Sequence, residues 1–247
     1  MEIVLTMLVL GTILGFIGAG GSGFIIAFLT LLFKVPIHVA LATSLTAMAF
    51  TSLSGAISHY REGNVSIKAG GIVGIFGGIG AFGGSKIASL IQENDMHYLT
   101  AGMLFLSAIL LLFRMIYLKN DDRTESSTNR YLFVLKAALL GIVTGILSGT
   151  FGIGSTPFIQ LGLLTFLGLS LRKSVGTTML VIIPIAVGGG TGFSTEGFLD
   201  VTLLIEVLVG TMVGAYIGAK FTNFLPKMVL KTAMVMVPFI SGLLLLV

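Results

Sequence analysis

Apolar residues run along the chain in long blocks broken by short polar turns. The blocks are 3–33, 36–58, 66–91 and 97–118, then, beyond the polar stretch Lys119–Arg130, 131–169, 174–194, 200–224 and 228–247. Most match the roughly 20 residues a helix needs to cross about 30 Å of hydrocarbon. The first block of each set is too long for one straight span: about 31 residues at 1.5 Å each reach about 46 Å. Both long blocks carry a glycine cluster at the same place, "GAGGSGFI" at Gly18–Ile25 and "GIGSTPFI" at Gly152–Ile159. Glycine costs about 1 kcal/mol relative to alanine inside a helix, so a helix that stops, turns and resumes fits better than one tilted rod. The pattern predicts an all-α polytopic membrane protein built from two homologous repeats. Each has a Gly-broken first helix, hairpin or re-entrant, followed by three transmembrane helices, giving about 8–10 membrane segments.

The repeat emerges when the chain is shifted against itself by 134 positions without a gap. Gly11, Gly15, Gly18 and Gly20 then fall on Gly145, Gly149, Gly152 and Gly154, Phe24-Ile25 on Phe158-Ile159, and Thr43 on Thr177. Glu62-Gly63 meets Glu196-Gly197, and Gly84 and Lys86 meet Gly218 and Lys220. Chance pairing of leucines does not reproduce glycines, a threonine, a glutamate and a lysine. The units are 1–118 and 131–247, with 119–130 as the polar linker between them.

Loop charge then suggests orientation. Arg61 and Lys68 surround one loop of the first unit, where the second unit has Glu196 and Asp200; Glu93 and Asp95 flank the next, where the second has Lys220, Lys227 and Lys231. Opposite bias in equivalent loops places them on opposite membrane faces, so the repeats read as inverted. With the linker assigned to the cytoplasm, and with it Arg114, Lys119, Arg123, Arg130 and Lys136 in and around it, Lys34 is the one charge on the wrong side. A parallel eight-span repeat is the alternative.

Composition narrows the class without altering the elements. The 247 residues are 55% hydrophobic and only 10% charged, far below the roughly 25% of a soluble domain, and no soluble catalytic domain is left over. The net charge of +4 is spread over short loops, which argues against nucleic-acid binding. There is no cysteine, which removes disulfides, thiolate metal sites and cysteine nucleophiles. The N-terminal "MEIVLTMLVLGTILGF" starts with an acid and lacks a basic n-region and a cleavage site, and reads as a retained first span and not a signal peptide. No cofactor fingerprint, Walker A sequence, metal-ligand spacing or nucleophile–base pair is present, so neither an enzyme nor direct ATP drive is expected.

The candidate chemistry gathers at the breaks. A broken backbone survives in a membrane only against protein or a water-filled cavity. Helices resuming near Ser22 and near Ser155-Thr156 would aim free N–H groups and a positive dipole end into such a cavity, which favours an anion. Gly20, Gly21, Ser22 and Gly23 in one unit, with Gly154, Ser155 and Thr156 in the other, are the candidate substrate-binding residues. Pro157 suits the first turn of its helix. "LATSL" and "VGTTM" add the hydroxyls of Thr43, Ser44, Thr177 and Thr178, whose bland alternative is a bond to their own i−4 carbonyls. His38 and Arg172, equivalent positions, are candidates for attracting anions at the entrances. Glu206 is the one carboxylate well inside a block, a candidate for proton coupling. Lys86 and Lys220 read as snorkelling residues near span ends. His59 and His97 read as loop residues.

The segments "GFIGAGGSGFIIAFLTLLFKVPIHVALATSL" and "GILSGTFGIGSTPFIQLGLLTFLGLSLRKSVGTTM" resemble the duplicated motif of the TauE/SafE family of sulfite and organosulfonate exporters. The resemblance covers nearly the whole chain. It implies multi-pass transport, in the lipid bilayer of a bacterial-type cytoplasmic (inner) membrane, of a small sulfur oxyanion or organosulfonate (sulfite, sulfonate or sulfoacetate). Export is the expected direction, and homo-oligomerisation and proton coupling are left open; the inverted repeats and matched breaks themselves suggest alternating access around a midplane site. Ser22 in the first motif and Ser155-Thr156-Pro157 in the second depart from the glycine pattern and add hydroxyls, and Thr178 stands in place of the motif's serine. An anion channel, an uptake permease for another small oxyanion and a membrane scaffold are the alternative readings.

Overall fold

The computed structural model describes residues 2–17, 22–117, 130–221 and 227–246. Among them the chain forms ten helices and no strand: α1 Glu2–Ile17, α2 Ser22–Leu31, α3 Ile37–Arg61, α4 Ile67–Ser89, α5 Glu93–Tyr117, α6 Arg130–Phe151, α7 Thr156–Thr165, α8 Leu171–Thr195, α9 Val201–Phe221 and α10 Lys227–Leu245. Five of these, α3, α4, α5, α6 and α8, contain segments long and apolar enough to cross a membrane, and several shorter apolar helices accompany them. The fold is that of a polytopic membrane protein. The helices α2 and α7 have ten residues each, about 15 Å and half the hydrocarbon thickness.

The backbone repeats at the interval seen in the sequence. Ser22, Ile37, Ile67 and Glu93 begin α2 to α5, and Thr156, Leu171, Val201 and Lys227, each 134 positions later, begin α7 to α10. Left-handed residues close equivalent turns, Lys34 with Gly168 and Gly63 with Gly197. Hydrogen bonds repeat too: Val35 N–H to Leu29 C=O and Leu169 N–H to Leu163 C=O are both 3.1 Å.

The equivalent helices α3 and α8 pair antiparallel through the centre. Gly189 lies against Leu45, Gly55 against Met179, and Gly176 against His59 and Asn64. Rising along one helix means descending the other, and the crossing centres near Phe50 and Pro184, themselves 134 positions apart. Two further seams run parallel and rest on glycine. Along the α4–α6 seam, a Cβ on Gly80 would lie 2.5 Å from the Ile142 carbonyl oxygen, and one on Gly145 or Gly149 would overlap the carbonyl oxygen of Gly77 or Ala81. The α1–α9 seam is its equivalent, with Gly11 backbone-close to Thr211 and Gly214 to Leu8. Lipid tails are as apolar as leucine, so close backbone packing, not exclusion from water, holds such pairs.

Charged groups separate onto two ends of the bundle. At one end, His38, Lys86, Glu93 and Glu196 come together from the starts of α3 and α5 and the ends of α4 and α8, with Lys86 Nζ 3.4 Å from Glu196 Oε1. At the other lie Arg61, Lys68, Arg114, Arg130 and Arg172; Lys68 sits over the Phe133 ring at 5.0 Å, joining the starts of α4 and α6. His59 and His97 differ from expectation: they lie in the last turn of α3 and early in α5. The reason for the second is that α5 begins a turn before its apolar block, with Glu93 and Asp95 complementing the positive end of its dipole.

Candidate functional site

The second break is built by three left-handed residues. Gly152 has φ +65°, Gly154 φ +64° and Ser155 φ +43°, so α6 stops and α7 starts afresh at Thr156, with Pro157 in its first turn. A Cβ on Gly152 would lie 2.9 Å from the backbone Cα of Leu41, and Gly154 is pressed against Met48. The turn therefore rests on α3, away from lipid. Both arms reach the same end of the bundle: α6 starts beside α4 at Lys68, and α7 packs on the start of α8, where Ser174 Oγ donates to the Gln160 carbonyl at 2.8 Å. In the first unit α1 ends at Ile17 and α2 begins at Ser22, and the residues between them, with the candidates Gly20 and Gly21, lie outside the described residues. Ser22, which begins α2, is buried, and its carbonyl accepts a hydrogen bond from Ser44 Oγ at 3.1 Å. Gly23 meets Leu104 of α5 and Ser241 of α10.

Several hydroxyls in this region are sealed from solvent with nothing to bond. Thr43 Oγ1, Ser148 Oγ and Ser155 Oγ have no partner among the described residues, and all three residues are 0% exposed. An unmade hydrogen bond at a buried polar group costs about 1–3 kcal/mol, so native proteins rarely leave one without an occupant to serve. Thr43 lies on α3 between Leu41 and Met48, the two side chains under the break; Ser148 is one turn before Gly152, and Ser155 holds the N-cap position of α7 without making a cap bond. Thr100 and Ser107 on α5 are buried and unpartnered as well. Ser148, Thr100 and Ser107 escaped the sequence reading because each is a lone small polar residue in an apolar block.

The remaining candidates divide. Thr177 Oγ1 accepts from the Ser66 N–H at 2.9 Å, fastening α8 to the start of α4. Its equivalent, Thr43, has no such bond. Thr178 donates to the carbonyl of Ser174, the local i−4 bond, at 2.8 Å. Thr156 opens α7 partly exposed. His38 is buried, its Nε2 bonds the Ala88 carbonyl at 2.9 Å, and its ring stacks on Phe198 with centroids 4.9 Å apart. Arg172 is exposed in the first turn of α8, at the opposite end of the bundle, so the two equivalents are not brought together. Glu206 lies partly exposed in the second turn of α9.

The described residues thus form a helical membrane bundle in which the turn between α6 and α7 rests on α3 beside buried, unbonded hydroxyls. The family model described as sulfite exporter TauE/SafE matches residues 3–245. The chain belongs to the TauE/SafE sulfite exporter family. It is 64% identical over 247 residues, all of both chains, to the probable membrane transporter protein YdhB of Bacillus subtilis (strain 168). It is also 28% identical over 211 residues to a probable membrane transporter protein of Xylella fastidiosa (strain 9a5c), covering 84% of this chain and 79% of that one. A third relative, the probable membrane transporter protein YunE of Bacillus subtilis, is 26% identical over 244 residues, covering 91% and 88%. No solved structure gives a significant match. Family and relatives make this chain a multi-pass membrane transporter rather than an enzyme.

Proposed function

We propose that the chain is a secondary transporter that exports a small sulfur-containing anion, of the sulfite, organosulfonate or sulfoacetate type, across a bacterial-type cytoplasmic membrane. Its site lies at mid-membrane, where the two breaks meet α3 and α8, and its two halves act as inverted repeats that expose the site alternately to each side. The observation that carries this reading is a broken symmetry. The helix α4 lies against α8 along its length, with Gly70 on Leu180, Gly74 on Pro184, Gly188 on Gly78 and Gly192 on Ser85. The equivalent helices α9 and α3 touch over only a small part of theirs. Thr51, Ser54 and Ser58 of α3, equivalent to the seam residues Ile185, Gly188 and Gly192 of α8, are exposed as a polar stripe. One backbone unit in two environments is what alternating access requires of a single state.

The charge distribution orients that state. The end bearing Arg61, Lys68, Arg114, Arg130 and Arg172 faces the cytoplasm under the positive-inside rule. The polar stripe of α3 lies in its half nearest that end, so the crevice opens inward, while the α4–α8 seam and the Lys86–Glu196 pair close the outside. Glu62 and Lys220 hold the positions equivalent to Glu196 and Lys86, so reversal exchanges one Lys–Glu pair for the other. Hydroxyls and helix N-termini suit an oxyanion that must bind and then leave. Unlike a fixed cation, they hold it without a full charge.

Ligand-dependent melting of the purified protein tests the substrate class. Anything that binds only the folded state stabilises it, by about 2.7 kcal/mol at a hundred times its Kd. Sulfite, or one of taurine and sulfoacetate, is expected to raise the melting temperature in a saturable way, with chloride and nitrate inert. A saturable rise with phosphate or a carboxylate, and none with the sulfur anions, overturns the assignment.

A further inference from the structure

Arg114 stands apart from the other basic residues. It lies in the last turn of α5, where an arginine at a membrane interface would ordinarily extend outward to water. Its guanidinium turns inward instead: Nη1 donates to Oε1 of Gln160, a residue 5% exposed in the middle of the half-helix α7. Among the described residues no carboxylate is found within ion-pair distance of it. A guanidinium drawn into a membrane bundle and answered, among the described residues, by a neutral amide is costly unless an anion completes it. It carries five N–H donors in a planar fork suited to two oxygens of one oxyanion, and Gln160 takes one of them.

A polar ladder leads inward from this point. Ser174 Oγ donates to the Gln160 carbonyl at 2.8 Å, and Thr178 Oγ1 donates to the Ser174 carbonyl at 2.8 Å. The first step crosses from α7 to α8, and the second moves one turn along α8 toward the middle of the bundle. The other half of the chain has no such ladder. The positions equivalent to Gln160 and Ser174 are Ile26 and Ala40, both buried and apolar. The feature therefore belongs to one end alone, the end with the excess of positive charge.

We propose that Arg114 and Gln160 form a loading site for the transported oxyanion, on the face reached by the open crevice. The site takes a small anion with two oxygens in one plane of approach, as sulfite and sulfonates have, and hands it along the α7–α8 groove toward the break at Gly152–Ser155. Its absence from the other half makes loading stronger at the cytoplasmic end, which biases the transporter to export. This inference rests on the sulfur-anion reading above.

The test measures half-saturation for sulfite applied to the Arg114 face of proteoliposomes, with melting temperature recorded on each variant. Arg114→Gln is expected to raise half-saturation about tenfold or more, as for loss of a charge-assisted hydrogen bond. Gln160→Glu supplies the guanidinium with an internal counter-ion, so it is expected to raise half-saturation comparably while the melting temperature holds or rises. Because that variant keeps the fold, it decides the matter even if Arg114→Gln fails to assemble. Half-saturation at the wild-type value in Gln160→Glu overturns the loading site. If the wild-type protein moves no sulfur oxyanion, the transport reading itself fails, a separate outcome.

Discussion

Gly149→Ala is expected to destabilise the protein by about 1–3 kcal/mol or more, the cost of overpacking a close contact. Transport should fall with it. The added Cβ would overlap the carbonyl oxygen of Ala81, and the backbone on both sides of the α4–α6 seam leaves no flexible group to give way. The same substitution at Gly102 should do the reverse. Nothing lies within 4 Å of a Cβ there, and in an open helical position alanine is better than glycine by about 0.8–1 kcal/mol. Thermal melting of the two variants in one detergent checks the pair. If Gly149→Ala melts at or above the wild-type temperature, the parallel α4–α6 seam is not packed backbone to backbone.

Thr43→Val should lower sulfite transport about tenfold or more, by removing a hydrogen bond to the anion, yet leave the melting temperature unchanged or raised. The hydroxyl it removes is wholly buried without a partner, so an apolar isostere relieves a cost in the empty protein. Thr144→Val is the control, because that buried hydroxyl already bonds the Leu140 carbonyl of its own helix. It should cost a little stability and leave transport near wild type. A loss of stability in Thr43→Val together with full transport would mean that Thr43 serves the fold and not the anion.

How much of this was legible in the sequence depends on whether a residue acts locally or through a partner. The 134-residue interval and the break at Gly152–Ser155 were readable because glycine spacing and turn chemistry are local; α2 starts at Ser22 and α7 at Thr156, where the resumed helices were expected. The fates of the four paired hydroxyls were not. Thr43 and Thr177 are equivalents, and only packing decides that Thr177 fastens α4 while Thr43 stays unbonded. Packing differs because α4 lies along α8 while α9 touches α3 over only a small part of its length, which no local motif encodes. Arg114 was hidden for a related reason. By position it is one more basic residue beside the linker, and only the turn of its guanidinium toward Gln160 sets it apart. His97 was misplaced because an apolar block marks where a helix meets lipid, while α5 extends a turn further into polar residues.

The most direct test of alternating access through the two seams uses the natural absence of cysteine. Cysteines at Lys86 and Glu196, joined by a short bis-maleimide, place thioether links across the α4–α8 seam that sulfite does not cleave. Counterflow of labelled sulfite is then measured in proteoliposomes before and after linking, with each single-cysteine variant capped as a control. Saturable counterflow is predicted in the unlinked protein and the controls, and its loss in the linked protein, because the outer seam must open to release the anion. Counterflow that persists at the unlinked rate after complete linking would contradict the account.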